Sequence, residues 1–377
     1  SSLGYKKMTV PISRHMYQNM DIKLTPDQYT IEEVVITPGE NPAHAILRSI
    51  ISNKERNNTS NQRSYQCEIY NKVEIDINNV DDKFRNRKVF NKLQFIFDNV
   101  DTSALTGKPY LPVLLTETLS DFYYSANTGK KHEIIKANRI SGTKNESLAE
   151  FTGKMYQNLE IYNNFITLLE PGFISPIADF GLFYYQYYLV DSLFVKDNWC
   201  YKISFEPKRK FEKTFSGYFI VSDTSFAIVQ AQLRMSEGAN INFINDYMAT
   251  LQFEKVQDSI WFLTEEKHIV DFNLTEKTLG FFGRKHTSYK KIDLQTQLPE
   301  KVLNTNKNIT LRDNVNEKDE EYWQLHRHRA LTKKEAQIYS MVDSIKQVPL
   351  YKTVEDIIVL LTNYYYVIGP FEYGPYY

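Results

Sequence analysis

Apolar and polar residues alternate along the stretch from Cys200 to Phe272, and short clusters of Asp, Ser, Asn and Pro interrupt the alternation. The apolar runs lie at Tyr201–Phe205, Phe215–Val221, Ala227–Met235, Tyr247–Phe253 and Ile260–Phe272. A period of two residues is typical of a strand with one buried and one solvated face. The pattern therefore predicts an antiparallel meander of about five strands, around which the rest of the chain is organised.

The same period predicts which side chains share a face of this sheet. A register slip of one residue would turn every side chain over, so we expect the apolar set on the side that helices cover and the polar set in water. The apolar set is Val229, Ala231, Leu233, Leu251 and Phe253, and the polar set is Gln230, Gln232, Gln252 and Glu254. Val229, Leu233, Leu251 and Phe253 are our candidates for an apolar ligand-binding face.

Elsewhere the pattern changes between strand and helix periods. Strands are predicted in three short runs before residue 37 and at residues 65–77, 113–115 and 130–136. Helices are predicted from residue 41 onward and at residues 84–97, 145–169, 319–329 and 332–347. Asn41 and Pro42 form an N-cap and first-turn pair, and Thr332 with Glu335 forms a capping box.

These elements predict an α+β fold in three regions. Residues 1–38 would supply the closing strands of a small β-sandwich. Pro38-Gly39 would end the last of these strands and mark the domain boundary. Residues 39–299 would form a curved antiparallel sheet with covering helices. Residues 300–377 would contain a polar linker to residue 318, helices and a lead-in to a membrane β-barrel.

The tail from Tyr364 to Tyr377 is unusually rich in tyrosine. Tyrosine gathers where a barrel crosses from water into lipid, so we expect the tail to be the lead-in to such a barrel. The alternative is that the tail packs on the meander as a final strand. The first residues have no N-terminal character, which predicts that the chain is a fragment of a longer protein.

Composition excludes several classes of protein. The 377 residues carry a net charge of −1, which gives no positive field for nucleic acid, so no nucleic-acid partner is predicted. Cys67 and Cys200 are the two cysteines, too few for a four-cysteine zinc site, and each lies in a strand pattern as a small buried hydrophobe. The sequence contains no run of 18 apolar residues, so no transmembrane helix is predicted.

Histidine offers no ligand set for a metal. Only His326 and His328 are close in sequence, and their spacing of two residues points them apart on a helix. The common hydrolase, phosphate-binding and dinucleotide-binding motifs are absent from the sequence. We therefore predict no catalytic residue, no metal and no organic cofactor, although one sequence leaves a dispersed triad open.

Two basic clusters stand out against the neutral background. Lys208, Arg209 and Lys210 form a turn that would contact anionic lipid head groups. A second cluster contains Arg284, Lys285 and His286. The alternative for both is a charged strand edge, which keeps a sheet from pairing with other chains.

Several stretches scattered over the chain carry a family resemblance. They are Ile31–Ile36, Pro38–Ala43, Thr116–Asp121, Phe173–Ile177, Cys200–Arg209 and Gly374–Tyr376. Residues 1–36 resemble the end of a carboxypeptidase-regulatory-like domain, a non-catalytic prealbumin-type β-sandwich. The rest resembles a domain-of-unknown-function family of Gram-negative outer-membrane proteins, in which a C-terminal β-barrel follows. The resemblance implies a location on the periplasmic side of the outer membrane, with membrane contact through a barrel that this chain does not include.

A second resemblance concerns the fold alone. The chain has a Phe-x-Pro-Lys segment, a strand, a second strand introduced by an aspartate, a long third strand, a turn and a tryptophan, in that order. This order is similar to the Lol-type lipoprotein-carrier fold, in which an antiparallel sheet curves around helices and leaves an apolar hollow for acyl chains. The residues that carry it are Phe205, Pro207, Lys208, Asp223, Phe226, Ile228 and Trp261.

The sequence thus predicts a non-enzymatic periplasmic region of an outer-membrane protein, acting in envelope assembly or transport. Its expected partner is a lipid, a lipoprotein or another envelope protein. The alternatives are a structural spacer between sandwich and barrel, or a hydrolase of envelope polymers. An apolar hollow would favour lipid binding, and a filled core would favour the spacer.

Overall fold

The protein divides by its internal packing into two units, residues 1–40 and 41–377. A computed structural model describes residues 9, 22–23, 39–58, 64–78, 80–86, 88, 91, 94–103, 106–141, 159–167, 172–239, 244–257, 260–272, 280–294, 308–345, 366–368 and 371–373. Nearly all of these belong to the second unit. The closing strands of a β-sandwich, predicted in residues 1–38, lie outside the described residues.

The second unit consists mostly of β-strands. The strands are β1 (Tyr65–Asn78), β2 (Asp101–Thr102), β3 (Pro109–Tyr124), β4 (Lys131–Ile140), β5 (Phe165–Thr167), β6 (Gly172–Ile174), β7 (Tyr185–Val195), β8 (Asn198–Pro207), β9 (Phe215–Ser222), β10 (Ile228–Met235), β11 (Ile244–Gln257), β12 (Ile260–Phe272), β13 (Phe281–Asp293), β14 (Ile309–Leu311), β15 (Tyr366–Ile368) and β16 (Phe371–Tyr373). The α-helices are α1 (Pro42–Ser52), α2 (Lys54–Asn57), α3 (Asp82–Arg85), α4 (Gly181–Tyr184), α5 (Glu320–His326) and α6 (Lys333–Ile345), and a 3₁₀-helix spans Gln94–Asn99.

Twelve strands form one sheet in the order β14-β4-β3-β1-β13-β12-β11-β10-β9-β8-β7, with β2 paired to β3. The pairings within this sheet are antiparallel except the parallel pair of β14 with β4. The meander predicted at residues 200–272 is confirmed, since β8 to β12 are neighbours in sequence order. Bulges interrupt several of these ladders, and each bulge bends and twists its strand.

One face of the sheet, which we call face A, carries the main apolar core at β7 to β11. Helix α1 covers this part with Ala43, Leu47 and Ile50, all fully buried. Asn41 caps α1 as predicted, because its side chain accepts a hydrogen bond from the Ala43 amide at 2.9 Å. The amphipathic face of α1 therefore closes the meander from one side.

The predicted shared face is confirmed for most of the apolar set. Ala231, Leu233 and Leu251 are fully buried in the core of face A. Gln252 and Glu254 are exposed, and Gln230 and Gln232 are partly exposed. The alternation therefore sets the orientation wherever the ladder is regular.

For Val229 the prediction is wrong. Val229 packs with Cys200, Ile220 and Trp261 in a separate cluster, whereas its neighbour Ile228 belongs to the core of face A. The reason is a register shift between Ile228 and Gln230, which inserts one residue and reverses the alternation. Phe253, next to a similar shift, is half-buried and touches both clusters.

The long helix predicted at residues 145–169 is wrong for the part that the structure describes. Residues 159–167 contain turns and β5, which pairs with β6 in a small separate hairpin. The predicted helix at residues 84–97 is reduced to α3 and the 3₁₀-helix. Aromatic residues at spacings of three or four occur in packed loops as well as in helices, which is why the pattern misled there.

The opposite face, face B, is covered at β1, β3 and β4 by residues from the C-terminal part of the chain. Tyr70, Leu119 and Ala137 on three neighbouring strands pack against the fully buried Trp323 of α5. The predicted helices at residues 319–329 and 332–347 are confirmed as α5 and α6. The predicted capping box is confirmed as well, with the Glu335 amide donating to Thr332 Oγ1 at 3.2 Å and the Thr332 amide donating to Glu335 Oε2 at 2.7 Å.

Buried ionic groups fasten this C-terminal cover to face B. The guanidinium of Arg327 donates to both oxygens of Glu117, at 2.6 and 2.9 Å. The hydroxyls of Tyr70 and Tyr339 each donate to the same carboxylate at 2.6 Å. Glu117 is fully buried and Arg327 is 5 % exposed. A buried carboxylate is tolerated only when its lone pairs are satisfied, and here α6, β1 and the residue after α5 supply the donors.

The segment expected to be a linker begins the same cover. Residues 309–311 form β14, and Arg312 Nη2 lies 3.1 Å from Asp121 Oδ2 of β3. The tail is described only at β15 and β16, which pair with each other. The role of the tail as a lead-in to a barrel stays a prediction. Among the described helices, none has the length and apolar character needed to cross a membrane.

The filled core predicts a large loss of stability for Leu251→Ala. A fully buried leucine truncated to alanine loses transfer free energy and leaves a cavity, so the free energy of unfolding should fall by about 2–5 kcal/mol. Gln252→Ala, on the exposed side of the same strand, should change it by less than about 0.5 kcal/mol. Denaturant unfolding of both variants measures the free energy of unfolding, and equal losses would contradict the burial of Leu251 in the core of face A.

The ionic fastening predicts that Arg327→Met destabilises the C-terminal cover. Removing the guanidinium leaves Glu117 buried beside an apolar side chain, which should cost about 3–5 kcal/mol. The control is Lys196→Met, because the Lys196–Glu254 pair at 2.6 Å is exposed on both sides and should be worth less than about 1 kcal/mol. Denaturant unfolding with limited proteolysis of residues 308–345 tests both; a similar small loss in the two variants would show that Glu117 does not depend on Arg327.

Candidate functional site: a cavity on face A

A cavity of about 380 Å³ lies on face A, between the strands β1, β3, β4 and β13 and the segment 159–167. Its lining combines aromatic and aliphatic walls with polar and charged groups. The lining residues are Ile69, Asn71, Phe122, Lys131, Glu133, Glu160, Asn163, Phe165, Thr167 and Thr287. The volume is at the lower end of the range for ligand pockets, about 300–1,000 Å³.

The roof of the cavity is the segment 159–167, and hydrogen bonds hold it to distant parts of the chain. Lys54 Nζ donates to Asn164 Oδ1 at 2.6 Å. The hydroxyl of Tyr162 accepts from the Ile228 amide at 2.9 Å, and Ser175 Oγ donates to the Ile161 carbonyl at 2.6 Å. The roof is thus fixed from both sides.

The floor follows a row of cross-strand partners on face A. Leu251, Glu266, Thr287, Asn71 and Thr118 are paired in that order from β11 to β3. Paired residues project to the same side, so the row leads from the apolar core at Leu251 to polar side chains beneath the roof. The cavity therefore lies on the same face as the core but outside the part that α1 covers.

Asn71 is the most informative residue of the floor. Only 2 % of the residue is exposed. Oδ1 accepts a hydrogen bond from Thr287 Oγ1 at 2.6 Å, but no acceptor among the described residues is within hydrogen-bond reach of Nδ2. A buried donor without a partner costs about 1–3 kcal/mol. An acceptor atom in the cavity would remove that cost.

Glu133 supplies the acidic group of the floor. It is 5 % exposed and accepts a hydrogen bond from Ser120 Oγ at 2.5 Å. Burial raises the pKa of the Glu133 carboxyl, although the Ser120 hydrogen bond and the charge of Lys285 oppose that shift. Lys131 at the rim is exposed, so the cavity offers a buried acid inside and a cation at its entrance.

Glu266, in the same cross-strand row, is a fully buried charged group that does not line the cavity. Its Oε1 accepts from the Tyr289 hydroxyl at 3.0 Å and lies 3.6 Å from Lys285 Nζ. Its Oε2 lies 3.3 Å from His268 Nε2 and 3.5 Å from the Leu159 amide at the start of the roof. Burial alone would raise the pKa of Glu266, but Lys285, His268 and Tyr289 outweigh it and lower the pKa to about 2. Glu266 is therefore an ionised anchor for the roof.

The arrangement can bind a small amphipathic group. Ile69, Phe122 and Phe165 offer apolar contact, while Asn71 and Glu133 offer a donor and an acid. Within the described part of the chain, no group of three or more His, Cys, Asp or Glu side chains could hold a metal ion. The predicted absence of metal and cofactor stays a prediction.

The structure does not bring the predicted apolar ligand face together at this cavity. Leu233 and Leu251 are buried in the core of face A, and Val229 is in the cluster on the other side of the sheet. Phe253 lines a second, much smaller cavity of about 40 Å³ beside Tyr162 and Phe262. A ligand-binding role for these four residues stays a prediction.

The two basic clusters lie in different settings. Lys208, Arg209 and Lys210 form the turn after β8, as predicted, and their contact with head groups stays a prediction. Arg284 and Lys285 do not lie at a strand edge, because β13 is inside the sheet between β1 and β12. Arg284 binds Asp76 on face B at 2.8 Å, and Lys285 lies near Glu266 on face A.

Sequence reasoning missed Asn71, Glu133, Glu160 and Thr287 as lining residues. For Asn71, Glu133 and Thr287 the available signal was a polar residue at a strand position whose alternation predicts burial, whereas Glu160 lies outside the strands. That signal becomes specific only when the partner strands are known, and β1 pairs with β13 more than two hundred residues away.

The ionised state of Glu266 predicts an acid-sensitive contribution to stability. Its folded pKa of about 2 lies below the ordinary value of 4.5, so the carboxylate stabilises the fold above pH 4.5 and loses that effect as the pH falls toward 2. Glu266→Gln should be less stable than the unchanged chain at neutral pH, and the difference should shrink on acidification. Thermal unfolding across that pH range measures it; a difference that stays constant with pH would show that Glu266 does not titrate as proposed.

A search of curated proteins finds no match to this chain. Among solved structures, a DUF1329 family protein from Desulfovibrio piger aligns at 13 % identity over 69 % of this chain and 96 % of its own, with a TM-score of 0.26. A putative outer membrane lipoprotein-sorting protein domain from Vibrio parahaemolyticus aligns at 8 % identity over 70 % and 97 %, with a TM-score of 0.28. A LolA superfamily protein from Nitrosomonas europaea aligns at 9 % identity over 70 % and 97 %, with a TM-score of 0.21. TM-scores this low do not establish a shared fold, so we infer nothing from them.

The match to a family model is different in kind, because it rests on the sequence over most of the sheet. The model of a family of unknown function, DUF5686, matches residues 46–292. That span runs from α1 to the end of β13 and includes every strand that lines the cavity. The protein belongs to the DUF5686 family.

Proposed function

We propose that this protein is a non-catalytic binding module that holds an amphipathic envelope ligand, a lipid or the acylated end of a lipoprotein, in the cavity on face A. The observation that carries the proposal is the unpaired Nδ2 of the buried Asn71 at the floor of a cavity with aromatic walls. A ligand carbonyl or hydroxyl would accept from Nδ2, and an acyl or similar apolar part would lie against Phe122 and Phe165. The volume suits a head group and the start of a chain better than a whole lipid.

Binding fits the geometry better than catalysis. Glu266 and His268 lie side by side, but neither is among the residues that line the cavity. Two acids line it, Glu133 and Glu160. Glu133 accepts a hydrogen bond from Ser120 and has no histidine among its described hydrogen-bond partners. These contacts orient a polar group and supply no paired acid and base.

The periplasmic location and the connection to an outer-membrane barrel are part of the proposal. They rest on the sequence resemblance to Gram-negative outer-membrane proteins, including the tyrosine-rich tail. A structural spacer is the second candidate, and the filled core around Leu233 and Leu251 favours it. The two functions differ in one respect, which is whether the cavity has an occupant.

Native mass spectrometry with lysophosphatidylethanolamine, a single-chain lipid, tests the proposal. The unchanged chain should bind one molecule, and Asn71→Val should weaken binding about tenfold, because one hydrogen bond to a buried donor is lost. Lipids extracted from protein purified from Gram-negative cells, identified by mass spectrometry, would name the natural occupant.

Asn138→Val is the matched control. Asn138 is also buried, but its Nδ2 donates to Asn316 Oδ1 at 3.0 Å and it does not line the cavity. It should lose stability and keep its affinity for the lipid. Equal affinities of the Asn71 variant and the unchanged chain, or no bound lipid in either preparation, would favour the spacer.

A further inference from the structure

Three turns meet at the end of the sheet where β8 passes to β9. The turn at residues 208–213 is bonded to α4, since the Lys208 amide donates to the Tyr184 carbonyl and Lys208 Nζ to the Leu182 carbonyl, both at 2.7 Å. It is also bonded to the connection after β10, because Ser236 Oγ donates to the Glu212 carbonyl at 3.1 Å. These bonds hold the three turns as one corner, which we call the basic corner.

Two phenylalanines project from the basic corner. Phe183 in α4 is 73 % exposed, and Phe211 in the turn after β8 is 78 % exposed. Single exposed apolar residues are ordinary on protein surfaces, but these two highly exposed rings lie on segments that hydrogen bonds hold together. Neither ring is among the residues that line the cavity or form the core of face A.

The backbone at Phe211 is held in a conformation that bulky residues avoid. Its φ is +67°, in the left-handed region, which is unfavourable for a residue with a bulky side chain. The ring lies against Gly238, where an added Cβ would be 2.6 Å from the Phe211 Cδ1 atom. The turn therefore places an aromatic ring at a position where glycine or asparagine would be less strained.

Basic side chains are concentrated in the turn that carries Phe211. Residues 208–213 contain four basic side chains and one carboxylate, Lys208, Arg209, Lys210, Lys213 and Glu212. Arg209 pairs with Glu212 at 2.7 Å, and Lys210 pairs with Glu237 at 3.3 Å. The Lys210–Glu237 pair is exposed on both sides and so contributes little, which leaves Lys210 able to exchange Glu237 for a phosphate group.

We propose that the basic corner docks on an anionic lipid surface, with Phe183 and Phe211 entering the interface and the basic side chains binding phosphate head groups. Exposed aromatic rings beside long cationic side chains suit a membrane surface, because the rings can enter the apolar region while the cations bind the phosphate layer. An acidic protein partner would meet the same charges, but it would require a groove for the rings or a complementary flat surface. The inference goes beyond the proposed function, since it concerns a different part of the molecule from the cavity.

Co-sedimentation of the full chain with vesicles tests the inference. Vesicles of phosphatidylglycerol and phosphatidylcholine in equal parts should bind the protein, pure phosphatidylcholine should bind it far less, and added salt should weaken the binding. Phe211→Asn should reduce binding about tenfold, because a buried ring contributes transfer free energy that asparagine does not. Asparagine tolerates the left-handed conformation, so the thermal unfolding temperature should not fall. Lys210→Gln should reduce binding about fivefold.

The matched control is Phe194→Asn, at the opposite end of β7. Phe194 is 69 % exposed and contacts Trp199 at a ring distance of 4.8 Å, far along the strand from the basic corner. This variant should bind vesicles as the unchanged chain does.

An equal loss in both variants, equal binding to neutral vesicles, or no binding to any vesicle would overturn the inference. Binding to an acidic protein at unchanged affinity in Phe211→Asn, without vesicle binding, would assign the corner to a protein partner instead. Asn71→Val changes the cavity and leaves the basic corner intact, so it should bind vesicles as the unchanged chain does even if it loses the single-chain lipid.

Discussion

The carboxylate of Glu117 is the group on which the covering of the sheet depends. It is fully buried in the middle of β3 and receives four hydrogen bonds, from Arg327, Tyr70 and Tyr339. Burying this carboxylate without hydrogen-bond donors would cost several kilocalories per mole in desolvation free energy. Strand β3 can therefore be buried on face B only when the chain after β14 is in place. The ion pairs of Glu68 with Lys136 and of Asp76 with Arg284 extend the same layer along β1.

The sheet thus carries two covers of different chemistry on opposite faces. Helix α1 and the roof segment close face A at β7 to β11 with apolar side chains. The C-terminal segment closes face B at β1, β3 and β4 with buried ion pairs beside the apolar contact of Trp323. The cavity lies where the apolar cover reaches strands whose inward side chains are polar. Its mixed lining follows from that position, because the roof brings Phe165 to a floor of Asn71, Thr287 and Glu133.

The sequence predicted the elements whose determinants are local. Alternation predicted the meander, and the residues around Asn41 and Thr332 predicted the starts of α1 and α6. It failed at Val229, where one inserted residue reverses the alternation and no residue type announces the bulge. It failed more widely at the cavity, because Asn71 and Thr287 become neighbours only through the pairing of β1 with β13. A polar residue in a strand looks solvated until the sheet that surrounds it is known.

That pairing has a consequence for how the chain folds. The sheet consists of two blocks of neighbouring strands, β1 with β3 and β4, and β7 through β13, and the ladder between β1 and β13 joins them. Each block can pair locally as the chain is synthesised. The ladder between β1 and β13 joins residues more than two hundred positions apart, so it carries the largest loop-closure entropy of the described ladders. Until β13 arrives, β1 and β12 are both unpaired edges, open to strands of other chains. A chain interrupted before residue 281 would keep both edges, so protection from aggregation matters most before this ladder closes.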